Sequence, residues 1–316
     1  MNTLSSRGKI SVWLRLGRIS NLPTVWSNVL AALLIAGGAM PHPSLLLLLM
    51  LALSLFYVGG MYLNDAYDSA IDARDRPQRP IPAGQAQSTT VFAAGFAMLG
   101  AGWLMLSQAG KAPSILYGAL LAGCIVLYNV WHKDNPVSPL IMGSCRALVY
   151  LCAGSALALH PDAPGGWLIL PAAGALLLHI VGLSHAAKQE DQHRLLRNWP
   201  LAALALPPLY FLALWWRQSA AEWQILDSLF VCMLALLLGA LGKALRLLFS
   251  IRRGAQPRAR IGQVVAQLIA ATSLLDGVAL LACQPALPPA SALLAAAACA
   301  LAWMLTLFFQ RTIPGT

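Results

Sequence analysis

Acidic residues are scarce in this chain. Four of its 11 aspartates and glutamates fall between Asn64 and Gly84: Asp65, Asp68, Asp72 and Asp75. An apolar run from Ser44 to Leu63 leads into this stretch. If the run is a helix that continues, Asn64, Asp68 and Asp72 recur at i, i+4 and i+8 and share one face. Asp65 stands three residues before Asp68, on the neighbouring flank. Like charges this close repel unless a cation lies between them. An oxygen donor set without Cys or His suits Mg2+, an ion that usually also binds substrate phosphates. Arg74, Arg76 and Arg79 follow, with forked donors that match phosphate oxygens. Pro77, Pro80 and Pro82 then stop the helix, and Gly84 permits a turn. A solvated loop has no need of acidic residues at helical spacing.

The stretch resembles the first aspartate-rich motif of the UbiA superfamily of intramembrane prenyltransferases, NDxxDxxxD followed by RPxxxG. Here the motif is Asn64, Asp65, Asp68 and Asp72, then Arg79, Pro80 and Gly84. The short spacing is most similar to the branch with chlorophyll synthases and archaeal lipid prenyltransferases. The resemblance implies Mg2+-dependent transfer of a prenyl group from a prenyl diphosphate to a small acceptor that the sequence does not name. It implies metal ligation by Asn64, Asp65, Asp68 and Asp72, and contact of Arg74 and Arg79 with the diphosphate.

These residues have to be positioned by membrane helices. Hydrophobic residues make up 59% of the chain and charged ones 10%, against about 25% charged in a soluble domain. A polytopic membrane protein is expected, and the net charge of +10 is assigned to membrane orientation and lipid contact, not to nucleic acid. A span needs about 20 apolar residues. Such runs lie near 23–40, 44–65, 89–108, 114–131, 138–158, 166–185, 199–216, 225–248, 262–283 and 289–309. The fold class is therefore an all-α bundle of nine to ten transmembrane helices around a central cavity, the whole chain 1–316 forming one domain. UbiA-like enzymes usually have nine spans. Residues 1–22 form a cytoplasmic, interfacial N-terminal segment, with no cleavable signal. With the N-terminus inside, 18 Lys and Arg fall on the inner side and two, Lys111 and Arg217, on the outer, leaving Arg146 within a span. That bias predicts an even span count and both termini in the cytoplasm, in an inner membrane of bacterial type. Six cysteines without a CxxC pair are expected as buried thiols.

Other residues join the first motif by position. Asn28, in the first span, either lines the cavity or bonds a neighbouring helix. The fourth span ends in Tyr128, Trp131, His132 and Lys133. Tyr128 is expected in the cavity and Lys133 either on the diphosphate or as an interface anchor, with His132 interfacial. Arg146 sits about two turns into the fifth span, where a charge is costly and marks function, here contact with the diphosphate or an acidic acceptor. Asp276 is equally costly in the ninth span, and its partner is not legible. The sixth span runs into Ser184, His185, Lys188, Glu190 and Asp191. The family's second motif, near DxxxD, belongs here, but Ala187 and Ala186 stand four residues before Asp191 and Glu190. Asp191 is expected to hold a metal, His185 to sit nearby in the cavity, and Lys188 to supply positive charge where a metal ligand is lost. Glu190 orients Lys188 or binds the acceptor. The catalytic set is Asp68, Asp72, Lys188 and Glu190. A secondary transporter for a small anion and a non-catalytic binding protein are the rival readings, and the absence of an inverted repeat weighs against the first.

Overall fold

The computed structural model describes residues 6–316 except 110, 134, 158–165, 189–198, 219–222, 258–259, 314 and 316, with side chains from Ile10. Among the described residues there are twelve α-helices and no strand. A short helix, α1 (Ser6–Leu16), and a 3-10 turn at Ile19–Asn21 precede the membrane helices. These are α2 (Leu22–Gly37), α3 (Pro43–Tyr67), α5 (Ser88–Gln108), α6 (Ala112–Trp131), α7 (Ser138–Gly154), α8 (Ile169–Lys188), α9 (Trp199–Gln218), α10 (Ile225–Arg252), α11 (Ile261–Cys283) and α12 (Pro289–Phe309). The ten helices coincide with the ten apolar runs. Nine are long and apolar enough to cross a membrane, counting α2 with the turn before it, and α7 is shorter at 17 residues.

Start signals agree with the sequence. Proline sits in the first turn of α2, α3, α6, α7 and α12, where its missing N–H costs nothing. A capping box between Gln224 and Asp227 opens α10. Two prolines, Pro207 and Pro208, lie inside α9, which continues through both.

Burial separates two classes of helix. The α2 segment and α11 have 89% and 83% of their spans buried, against 28–61% for the other seven. They pack on each other, and α2 also touches α3, α7 and α12 while α11 touches α8, α9, α10 and α12. The remaining helices close round them through the α3–α5, α5–α6, α6–α7 and α7–α8 pairs. Their outer faces carry large exposed apolar side chains such as Leu47, Leu104, Leu116 and Leu294, as lipid contact requires.

The expected unbroken helix through the acidic stretch is corrected. α3 ends at Tyr67, Asp68 is a joint at φ −80°, ψ −4°, and a short α4 (Ser69–Asp75) follows. The Asp72 N–H still donates to the Asp68 carbonyl at 2.8 Å, so the helical spacing survives a change of direction. Gly84 adopts φ +69° and its N–H donates to the Ile81 carbonyl at 3.0 Å, closing the turn before α5. The turn before α2 meets the segment after α12: Asn21 Nδ2 donates to the Gly315 carbonyl at 2.9 Å, and Gln310 Nε2 to Asn21 Oδ1 at 2.9 Å.

α3 and α5 touch backbone to backbone. A Cβ on Gly59 would lie 2.8 Å from the Gly95 carbonyl oxygen and 3.1 Å from Met98 Cβ, whereas one on Gly100 meets nothing within 4 Å. Gly59→Ala should therefore destabilise the protein by about 1–3 kcal/mol, the range for overpacking, and lower its melting temperature in detergent. Gly100→Ala should leave the melt unchanged. Equal melts for the two variants would refute the close contact.

Candidate functional site

The ends of α3, α6, α7 and α8 next to the acidic stretch, with parts of α2 and α11, surround a cavity of about 670 Å³. Its inner walls are apolar, with Leu53, Phe56, Leu121, Ile125 and Val149. Its mouth is not: Arg18, Arg76, Arg79, Lys133 and Lys188 line it with Asn64 and Asp68, and Arg146 lies deeper. Six of the chain's 21 basic residues thus face one chamber.

The acidic residues are buried and compensated one by one. Asn64, Asp65, Asp68 and Asp72 are each less than 9% exposed. Arg79 Nη1 lies 2.8 Å from Asp72 Oδ2 and 3.4 Å from Asp65 Oδ1, bridging the two. Arg18 Nη2 reaches Asp65 Oδ1 at 3.2 Å and Asn64 Oδ1 at 3.3 Å. Asp68 turns the other way, to His132 Nε2 at 3.4 Å and Lys133 Nζ at 3.5 Å at the end of α6. Burial would raise the pKa of Asp68, but the hydrogen bond and charge of His132, with Lys133, outweigh it and leave the pKa lowered. With a lowered value Asp68 is anionic at neutral pH; its contribution to stability is present above the unfolded pKa and lost as pH falls through the folded one.

Sequence spacing placed Asp68 and Asp72 towards one point. The joint at Asp68 instead gives them different cations, and among the described residues no three Asp, Glu, His or Cys side chains converge closely enough to hold an ion. The donor chemistry still fits Mg2+: Asn64, Asp65, Asp68 and Asp72 offer only hard oxygens.

Other predicted positions divide by helical geometry. Tyr128 and Lys133 line the cavity, and Tyr128 stacks on His132 with ring centroids 4.9 Å apart. Lys188 lines it too, donating from Nζ to the Asn135 carbonyl at 2.6 Å. Two expectations are corrected here. His185 does not line the cavity; it meets Trp199 edge-on at 4.3 Å. Ser184, Ala187 and Lys188 share the cavity face, and His185 lies about 100° round from Ser184. Arg74 is exposed on α4 and outside the cavity, while Arg76 and Arg79, after the helix has ended, turn inward. Asn28 stands one layer behind the wall: it is fully buried and accepts from Arg146 Nη1 at 2.7 Å. Glu190 and Asp191 lie outside the described residues.

Three residues were missed. Arg18 falls within the N-terminal segment expected at the interface, yet it reaches the acidic cluster from a left-handed backbone, φ 43° and ψ 47°, a conformation that costs a non-glycine residue about 1–2 kcal/mol. Such strain is characteristic of functional positions. The signal available was Gly17-Arg18 at the end of an amphipathic segment. Asn129 accepts from Asn64 Nδ2 at 3.1 Å and donates to the Gly60 carbonyl at 3.3 Å, tying α6 to α3. His132, expected at the interface, holds Asp68.

Fold and site together define a multi-pass helical membrane protein whose buried chamber concentrates positive charge beside a carboxylate cluster. The sequence pattern of the UbiA prenyltransferase family matches residues 24–255. The chain belongs to that family and is an integral membrane protein. It is 36% identical over 135 residues to digeranylgeranylglyceryl phosphate synthase of Methanoculleus marisnigri, covering 40% of this chain and 45% of that one. It is 29% identical over 160 residues to the enzyme of the same name from Methanopyrus kandleri, covering 50% and 57%. The match thus spans about half the length of these curated relatives. A solved structure described as digeranylgeranylglyceryl phosphate synthase in membranes superposes with TM-score 0.61 at 18% identity, covering 88% of this chain and 99% of that one. The apo structure of a UbiA homologue from Aeropyrum pernix K1 superposes with TM-score 0.55 at 15% identity, covering 82% and 94%. At these identities the likeness concerns the fold.

Arg79 bridges Asp65 and Asp72, so Arg79→Ala removes the cation between two buried carboxylates, of which Asp65 keeps its contact with Arg18. The variant should lose about 1–3 kcal/mol of stability, and Mg2+ should raise its melting temperature more than that of the wild type. An equal Mg2+ response in both proteins would show that Arg79 does not govern access of a cation to these carboxylates.

Proposed function

We propose that the protein transfers a prenyl group from a prenyl diphosphate to a small acceptor in this cavity, with the mouth on the cytoplasmic side. The observation that carries the reading is the polarity of the chamber: five basic side chains with Asn64 and Asp68 at the mouth, apolar walls beyond. An amphiphile with a diphosphate head and a hydrocarbon tail matches that division. The family membership and the relatives' name support the reaction class.

In this reading Arg18, Arg79, Lys133 and Lys188 bind the diphosphate, and their charge stabilises the negative charge that grows on it as the C–O bond ionises. Asn64, Asp65, Asp68 and Asp72, with Asp191, would hold Mg2+, which supplies Lewis-acid stabilisation of the same leaving group. The cations now resting on Asp65, Asp68 and Asp72 would be shared with the incoming phosphate oxygens. Leu53, Phe56, Leu121, Ile125 and Val149 exclude water from the allylic cation until the acceptor captures it. Glu190, outside the described residues, would orient Lys188 or bind the acceptor. The Asn21–Gly315 contact puts the segment before α2 and the segment after α12 on one side, and the charge bias supports the cytoplasm as that side.

The reading makes two separable demands. Asp68→Ala and Asp72→Ala should each abolish Mg2+-dependent release of diphosphate from prenyl diphosphates while the protein inserts and purifies normally. Near-normal turnover in either variant would remove that residue from the site. Lys188→Ala should lower kcat/KM for the prenyl diphosphate by at least about tenfold, roughly 1.4 kcal/mol. Lys243→Ala, exposed on α10 outside the cavity, is the control and should do little. If both lysine variants behave alike, Lys188 has no particular role with the diphosphate.

A further inference from the structure

Behind the cavity wall, between α2, α7 and α11, lies a polar cluster that the proposed reaction does not use. Asp276 is completely buried in it. Its carboxylate accepts from Ser27 Oγ at 2.6 Å, from the Tyr150 hydroxyl at 2.6 Å, and from Asn28 Nδ2 at 2.9 and 2.8 Å. Of these partners the Asn28 amide nitrogen can only donate, and the two hydroxyls are each able to.

The carboxylate also sets the direction of the next group. With its NH2 turned to Asp276, the Asn28 amide presents its carbonyl oxygen to the opposite side, where it accepts from Arg146 Nη1 at 2.7 Å. Arg146 Nη2 donates to Thr24 Oγ1 at 3.0 Å. The Thr24 hydroxyl proton is spent on the Asn21 carbonyl at 2.7 Å, so its oxygen serves as an acceptor only. The guanidinium lies over the Tyr57 ring, 5.5 Å from its centroid. A bare arginine at this depth is costly. Here the compensating charge stands one amide away. A direct ion pair would occupy the fork of the guanidinium with the carboxylate itself. The interposed Asn28 fixes the fork and leaves donors of a guanidinium, which has five, for the cavity that Arg146 lines.

Position separates Arg146 from the cluster at the mouth. Asp68 meets Lys133, and Lys188 meets Asn135, at the end where α7 begins at Ser138. Arg146 lies eight residues further along α7, about 12 Å at the helical rise. We propose that Asp276 is a positioning residue which, through Asn28, holds Arg146 as a second anion subsite, taking a single anionic head group on the acceptor and lying apart from the diphosphate end. The inference rests on the prenyl-transfer reading for its acceptor, but the subsite itself is tested by binding alone.

The test uses the full chain in detergent with Mg2+ and two probes, inorganic pyrophosphate and decyl phosphate, with decanol as the uncharged control. Arg146→Gln should weaken decyl phosphate at least about tenfold and change pyrophosphate less than about twofold. Asp276→Asn should weaken decyl phosphate about fivefold in the wild-type background and less than about twofold beside Arg146→Gln, because a positioning residue acts only through the group it positions. If Asp276→Asn does not fold, Asn28→Leu cuts the same relay and should give the same pair of results. Equal loss of both probes, no decyl phosphate binding beyond that of decanol, or an undiminished fivefold loss in the Arg146→Gln background would overturn the assignment. Turnover of prenyl diphosphates by the wild type is followed in parallel. Its absence with the two-probe pattern intact overturns the proposed reaction and keeps the subsite; turnover with the pattern lost does the reverse.

Discussion

Charge cannot stand alone inside an apolar bundle, and most of the site follows from that. Three aspartates are buried within a few residues of one another, and each is met by basic side chains from other segments: Asp65 by Arg18 and Arg79, Asp72 by Arg79, Asp68 by His132 and Lys133. Removing one partner from such a set costs far more than the net contribution of the pair. The arrangement therefore ties the segment before α2, the joint between α3 and α4, the loop after α4 and the end of α6 into one electrostatic unit. The helices are long because of the membrane, but their inner ends are placed by these contacts.

The same balance equips the chamber for an anionic guest. The basic side chains at the mouth outnumber the carboxylates they neutralise, so in the proposed reaction a diphosphate entering with a divalent cation would redistribute charge without leaving a buried group unpaired. Apolar walls beyond the mouth have the opposite preference. A ligand with one strongly charged end and a long hydrocarbon end is held in one orientation by this division, before any specific contact is counted.

Much of this was readable from the chain. Hydropathy alone located the ten helices, because each apolar run is a continuous local signal. Asn64 to Gly84 declared itself by local spacing as well, and the turn at Gly84 followed from residue type. What failed was whatever depended on local direction or distant pairing. Arg74 and Arg76 differ by two positions, and which one faces the cavity is decided by the end of α4 at Asp75. His185 follows Ser184 directly, yet one helical step turns it to Trp199. Arg18 and Asn129 work through residues 46 and 65 positions away, and Asp276 through residues 248 and 249 away. Periodicity carries no information on such pairs; it could show only that a buried aspartate needed donors, not whose.

The placement of α2 has a consequence for how the protein is made. This helix emerges first from the ribosome among the ten, yet its polar residues Ser27 and Asn28 are satisfied by Asp276 in α11, and its flank is covered by α11 and α12. For most of synthesis it must wait in the bilayer with hydroxyl and amide groups lacking their final partners. Contacts between distant parts of a chain form slowly and late. The cavity is therefore not finished until the last helices arrive, and a nascent chain halted before α11 would carry the whole aspartate-rich stretch without a closed chamber behind it.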